Sequence, residues 1–477
     1  MKTFFFIMTF LAISLMPVRA QKVWNLHQCI QHAQNNNLQI KQTRLNQELA
    51  LEKTIYTKTD LYPTVQFSVS PTLAMGRSLD PTTYQYATNG FINNIMGVNM
   101  NQVLWAGGRK KNSHQQSIVE QEIASLQEQK NTVAIAIQIT QAYFQILLQQ
   151  VYVKSAERQL GISSEQLAVF QKANTSNPDT AYSVLEWQAQ VANDEFTLTK
   201  YKNELKTAQI NLGTLLALPD PLGIEIAEIK DETFTVDRPI GQKKGEYDLF
   251  YKMAYWHPST KITQLNQKLV ALQYDAVKAS AYPTISLAAG VSLPFSSLFR
   301  EVDQAYLVRT DTIPVYSQGQ LRLALSPNYA YSYKTTSFFS QWKQLASAYV
   351  GFQINLPIIT GGLRKYQQQQ AAINIENAHI SMLSARAEIY KEALLSTNNL
   401  EAAILQYQAA QKTLQVWQVY FNTTLQKVQR GEVKIKDFES VKNSFFTIQQ
   451  NAEIAKYDWL LKKKIYQYYS TGNMEDL

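Results

Sequence analysis

Four short runs in this chain alternate between apolar and polar residues, and each is set against helix-forming sequence of unusual length. In the first, Val65, Phe67 and Val69 alternate with Thr64, Gln66, Ser68 and Ser70; in the second, Met96, Val98 and Met100 alternate with Gly97, Asn99 and Asn101. The third sets Ile285, Leu287, Ala289 and Val291 against Thr284, Ser286, Ala288 and Gly290. The fourth sets Val350, Phe352, Ile354 and Leu356 against Gly351, Gln353 and Asn355. Period-two alternation specifies strands with one apolar and one small, polar face. About ten residues is the length of a tilted strand that crosses a bilayer, with lipid on one face and water on the other. Four such strands cannot close a barrel. Their two open edges would leave several N–H and C=O groups unpaired in hydrocarbon, at a total cost on the order of tens of kcal/mol. A membrane role therefore requires strands pooled from two, three or four chains. A soluble four-stranded sheet packed on helices accounts for the alternation but not for the helices.

The chain is also written twice. "LNQELAL" at 45–51 matches "LNQKLVAL" at 265–272, and "YPT" at 62–64 matches "YPT" at 282–284. "WAGGRKK" at 105–111 has a counterpart in "ITGGLRK" at 359–365, and "VLEWQAQ" at 184–190 one in "DFESVKN" at 437–443. The offsets show an insertion in the second copy between its YPT and its Gly pair. Each copy reads as helix, strand, loop, strand, long helix, turn, helix. The first helix covers about 26–60, or about 246–281 in copy two, and the strands fall at about 64–73, 92–103, 284–292 and 347–357. The repeats span 21–219 and 246–471, joined by a linker at 220–245 rich in acids, Pro and Gly, with a short tail at 472–477.

After each Gly pair the sequence runs helical for roughly 60 residues, about 90–100 Å at 1.5 Å per residue. Copy one has only Gly161 in this run, and copy two has neither Gly nor Pro before Gly431. In copy two apolar residues recur by sevens, at Ile373, Ile380, Ala387 and Leu394, then Leu400, Tyr407, Leu414 and Phe421. That spacing specifies coiled-coil packing. Two turns interrupt the helices. At 172–180, Asn177 is placed as an N-cap with Pro178 and Asp179 opening the return helix; at 428–436, Gly431 is placed as a C-cap between Arg430 and Glu432–Val433. Pro63 and Pro283 read as switches from helix to strand. Gly107-Gly108 and Gly361-Gly362 read as the re-entry from strand to helix.

Composition narrows the function. Lys2, an apolar run from Phe4 to Met16 and the small residues before Gln21 read as an export signal over 1–20. No later run approaches the length of a spanning helix. A net charge of +8 with no dense basic tract argues against nucleic acid. Cys29 is the only cysteine, so an internal disulfide is excluded. The five histidines are scattered, and neither H-E-x-x-H nor G-x-S-x-G is present, so no enzymatic site, cofactor site or metal site is expected.

Taken in order, the export signal, the duplicated helix–strand–strand–helix units, "YPT" before one strand of each pair and "GGR" or "GGLR" after the other resemble the TolC-type outer-membrane efflux and secretion channels. "QRGEVKIKDFESVKNSFFTIQQNAEIAKYDWLL" at 429–461 resembles that family's hairpin tip and return helix, and "GRSLDPTT" at 76–83 the first outer loop of its Bacteroidetes members. The resemblance implies a mainly α fold with a membrane β-barrel. Three chains would form a twelve-stranded barrel in the outer membrane and a tunnel of coiled-coil hairpins in the periplasm. It further implies a passive duct, for small-molecule efflux or protein secretion, opened when a periplasmic adaptor and an inner-membrane pump dock at the tip. Asp437 matches the first acid of the family's charged constriction, which favours cations. Where a second acid follows in that pattern, this chain has Ser440, with Glu439 beside it. Asn177, Pro178, Asp179, Arg430, Gly431, Glu432 and Val433 would then lie at the docking tips. The long second outer loop, about 292–346, is rich in Tyr and Phe and is expected outside the cell, either folded over the mouth and restricting it or packed as a surface loop against its neighbours. The other reading is an exported coiled-coil scaffold or adaptor protein without a pore.

Overall fold

The computed structural model describes residues 23–79, 84, 86–88, 90–172, 178–229, 244–430, 432–433, 435–474 and 477; the expected export signal lies outside them. The described residues form two compact units. One holds the residues up to Glu52 with Ile118–Val270 and Asn374–Leu477; the other holds Lys53–Ser117 and Ala271–Ile373.

The first copy begins with a short strand, β1 (Val23–Trp24), then α1 (Leu26–Asn36) and α2 (Leu38–Thr59), where the sequence reads as one helix. Asn37 makes the break. Its side-chain oxygen accepts from the Gln39 and Ile40 amides at 2.9 and 3.2 Å, while its amide nitrogen donates to the Leu215 carbonyl at 2.7 Å. Such a residue caps a new helix better than it continues the old one. Strand β2 (Thr64–Ala74) follows, then a small pair, β3 (Ser78–Leu79) and β4 (Tyr86–Ala87), and β5 (Phe91–Trp105). The long helix α3 (Arg109–Lys172) and its return helix α4 (Pro178–Leu215) complete this copy.

The segment read as a linker is partly ordered into the fold. Glu225–Ile226 forms β6, which pairs in parallel with β1. Ile224 and Ile226 are buried, and the Tyr143 hydroxyl donates to the Ala227 carbonyl at 2.5 Å. These residues join a core with Cys29, Ile139, Leu147, Leu212 and Trp459. Cys29 is fully buried there, and burial pushes its thiol up to about 12.

The second copy opens with α5 (Lys244–Trp256) and α6 (Pro258–Ala279), again two helices where one was expected. Proline has no N–H to continue the ladder and is suited to a helix start. Strand β7 (Thr284–Ser296) leads into the insertion. The insertion is not an irregular loop. It is a long hairpin, β8 (Arg300–Ser317) with β9 (Gln320–Thr335), followed by the short helix α7 (Phe338–Leu345). Then come β10 (Ser347–Asn355), the long helix α8 (Leu363–Gln429) and its return helix α9 (Ile435–Thr471). The two long helices contain 64 and 67 residues, about 95–100 Å each. Of the sevenfold positions on α8, Leu400 and Phe421 are buried within the chain, whereas Ile373 and Ile380 are exposed.

A wall with one apolar face, and a buried charge cluster near the hairpin tips

Four strands form one antiparallel sheet in the order β10–β7–β5–β2. Register places like with like across it. Phe67 faces Val98, Val98 faces Val291, and Val291 faces Ala348. The row above has Val69, Met96 and Leu293, and another joins Leu287 to Phe352. Directly opposed residues in antiparallel strands share a face, so one side of the sheet is predominantly apolar, with Asn94 and Gln102 of β5 as polar residues on it. Phe67, Val350 and Phe352 on it are 65, 74 and 72 % exposed. The other side carries Gln66, Ser68, Asn99, Ser286 and Gln353. There the Tyr349 ring passes over Gly290 and its hydroxyl donates to Asn99 Oδ1 at 3.2 Å. An 11-residue strand such as β2 rises about 36 Å. At a tilt of about 40° its height is about 28 Å, close to the apolar band of a membrane barrel. The outer strands β2 and β10 have no further strand beside them among the described residues.

The end of the sheet that meets the helices is built alike in both copies. After α2 the Tyr62 amide donates to the Thr59 carbonyl, and after α6 the Tyr282 amide donates to the Ala279 carbonyl. Pro63 and Pro283 follow, and a strand begins at Thr64 and at Thr284. On the return, Gly107, Gly108, Gly361 and Gly362 all have positive φ, from 58 to 86°. These glycines do more than loosen the chain, because the left-handed turn requires them. Gly107 is doubly constrained: a Cβ there would lie 2.7 Å from the Ala279 carbonyl oxygen. Lys110 fixes the same corner, with an ion pair to Asp60 at 3.1 Å. Trp105 packs edge-on against Tyr282, and both are exposed, as is Tyr62. Such rings suit the border between hydrocarbon and water.

The helical hairpins contain a feature of another kind. Lys442, on α9, is fully buried. Its Nζ donates to Ser163 Oγ on α3 at 2.5 Å and lies 3.3 Å from Asp194 Oδ2 on α4 and 3.2 Å from Glu439 Oε2. Ser163 Oγ in turn donates to Asp194 Oδ2 at 2.5 Å. The Trp187 ring lies on one side of Lys442, 5.9 Å away, within an aromatic cluster of Phe421, Phe438, Phe445 and Phe446. Lys442, Ser163 and Asp194 thus tie helices of both copies together, while Glu439 pairs with Lys442 along α9 itself. Burial raises the Glu439 carboxyl above its usual range, and the Lys442 charge partly opposes this. Among the described residues no cluster of His, Cys, Asp and Glu is placed to hold a metal, and no helix is long and apolar enough to cross a membrane.

Comparison with known proteins bears on this architecture. The profile of a family described as "Outer membrane efflux protein" matches residues 29–218. The solved structure of CusC superposes with a TM-score of 0.69 at 15% identity, covering 93% of this chain and 91% of CusC. The Campylobacter jejuni outer membrane channel CmeC gives a TM-score of 0.72 at 13% identity, over 94% of this chain and 85% of CmeC. VceC of Vibrio cholerae gives 0.68 at 12% identity, over 94% and 96%. A search of curated protein sequences returned no match.

The fold is that of a TolC-type outer-membrane channel. In TolC-type terms the sequence-derived site residues fall into three groups. Pro63, Pro283 and the two Gly pairs stand where helix and strand meet, as described. Asp437 is exposed in the first turn of α9. Arg430 and Glu432 are exposed, and Val433 packs beside the aromatic cluster. Asn177 and Gly431 lie outside the described residues, as do the side chains of Pro178 and Asp179, which open α4. Sequence reasoning missed Ser163, Asp194 and Lys442. A signal existed: Lys442 continues the apolar stripe Phe438–Lys442–Phe445, and Asp194 lies seven residues after Trp187. Opposite charges at core positions of facing helices mark a buried pair.

Proposed function

We propose that this chain is the outer-membrane channel of a tripartite export system. Three copies form a passive duct that a periplasmic adaptor and an inner-membrane pump engage at the hairpin tips. The observation that carries this reading is the sheet with one predominantly apolar face and two open edges. In lipid each edge strand leaves roughly ten backbone groups without partners, at several kcal/mol each. Pairing β2 of one copy with β10 of the next satisfies them all, and three copies give a closed twelve-stranded wall with even strand number. The exposed heptad residues Ile373 and Ile380 then meet neighbouring helices rather than water. Asp437, repeated by the threefold axis, places a ring of negative charge near the tip that favours cations. The protein sits in the outer membrane with a large periplasmic helical part, and its cargo passes through without chemical change.

The test is to recover the protein from cell envelopes and measure its mass in detergent. It is expected in the outer-membrane fraction, as an oligomer of three chains whose migration on an SDS gel changes on heating, with conductance in planar bilayers. A single-chain particle that needs no detergent, or release by carbonate washing, overturns the proposal and favours a scaffold.

A further inference from the structure

The hairpin β8–β9 has two unlike faces. One carries its charges: Glu301 and Asp303 pair with Lys334 at 3.6 and 3.3 Å, and Arg309 pairs with Asp311 at 3.2 Å. The opposite face, set by the pairs Leu307–Tyr329, Thr312–Leu325 and Pro314–Leu323, has no charged side chain between Val302 and Tyr316 or between Leu321 and Tyr333. Leu323 and Leu325 there are each 74 % exposed. A lone two-stranded ribbon is marginal in water, yet this one is firmly seated. At its foot the fully buried Gln341 accepts from the Ser296 amide at 2.9 Å and donates to the carbonyls of Ser296 and Thr336 at 3.0 Å each. Phe295, Phe338 and Trp342 pack around that clamp. A fixed base and an uncovered apolar face indicate that something covers the face.

We propose that the occupant is the same face of the ribbons of the other copies, so that three ribbons form an apolar bundle above the barrel mouth; this rests on the trimer proposed above. Three arguments select a copy of this chain over an outside protein. The hairpin leaves β7 at the end of the sheet opposite the long helices and returns into β10, the edge strand that pairs between copies, so the ribbons of a trimer rise from one rim. Beyond Arg300 at its foot the face is uncharged and therefore has no complementary charge with which to choose another partner. Its size also fits. A 16-residue strand is about 53 Å long, and two strands are about 10 Å wide. Each face therefore offers about 500 Å², and two facing ribbons bury about 1,000 Å², the lower limit for a specific interface. For copies already joined through the barrel this is enough, because their effective concentration is in the millimolar range. A free partner would carry the full entropic cost of association.

The experiment places single cysteines in the full-length protein at adjacent positions on opposite faces, Leu325→Cys and Ser326→Cys. Cys29 is buried and gives no background. Intact oligomers are treated with a short bismaleimide and then denatured. Leu325→Cys is expected to yield several-fold more covalent dimer than Ser326→Cys. Equal yields, or none from Leu325→Cys in an intact trimer, overturn the inference and leave the channel proposal standing. Quenching of a fluorophore on Leu325→Cys by brominated lipid places the face against the bilayer and also overturns it. A single-chain particle in the same preparation instead removes the channel proposal, and the inference with it.

Discussion

Replacing Lys442 by methionine tests whether the buried cluster holds the two hairpins together. The substitution keeps the volume and apolar stem but leaves Asp194 and Glu439 buried without their cation. Removing one partner of a buried pair costs about 3–5 kcal/mol, because an uncompensated charge remains. Ser163→Ala removes one neutral donor and should cost about 1 kcal/mol. Global melting of so large an assembly is not two-state, so the readout is local: hydrogen exchange of the α9 amides between residues 438 and 446, followed by mass spectrometry. The Lys442→Met loss corresponds to exchange roughly 10²–10⁴ times faster. Adding Asp194→Asn and Glu439→Gln should restore most of the protection, since it removes both stranded charges. The pH dependence has a definite sign. Glu439 already has a raised carboxyl pKa in the fold, so its folded form binds a proton more readily than the unfolded chain. Any such group adds stability below the ordinary carboxylate pKa and loses it as pH rises through the raised value. Without Lys442 the shift grows, so the deficit should shrink under mildly acidic conditions and be largest at neutral pH and above. Unchanged exchange at α9, or a deficit independent of pH, would refute the reasoning.

Three further outcomes are expected. Asp437→Ala weakens cation preference in planar bilayers, read as a smaller reversal potential under a KCl gradient; an unchanged potential removes Asp437 from the constriction. Phe67→Arg, on the apolar face, costs about 2–4 kcal/mol if it lies near the bilayer midplane and lowers the temperature at which the oligomer dissociates on a gel, whereas Gln66→Arg leaves that temperature alone and shifts selectivity toward anions. Gly361→Ala costs about 1–2 kcal/mol, because an L residue is held at positive φ. Gly107→Ala costs more, since its Cβ also meets the Ala279 carbonyl, and local hydrogen exchange at the start of α3 and of α8 should rank the two variants accordingly.

The wall was legible because a period-two pattern is local: Val65 to Val69 and Val350 to Ile354 show their faces without any partner in view. The helix ends were legible where Pro and Gly set the backbone, at Pro63, Pro283 and the Gly pairs. The breaks at Asn37 and Pro258 were weaker signals inside strong helical periodicity, so one helix was read where two exist. The hairpin was hidden by two irregularities. Its register shifts between Val302 and Gln304 and again between Leu307 and Arg309, and each bulge displaces the alternation by one residue. Pro314 and Pro327 interrupt the strand pattern further, although a two-stranded ribbon is all edge and tolerates them. The Lys442 cluster was invisible for a different reason. Its members come from α3, α4 and α9, and only tertiary packing shows that they share one dry site.

The sheet pairs Gly97 with Ser292, which sets a timetable for biogenesis. When β2 and β5 have been made their next neighbour, β7, has not, and the last strand, β10, comes later still. The four-stranded wall can be completed only once the second copy has been made, so duplication makes its closure a late event.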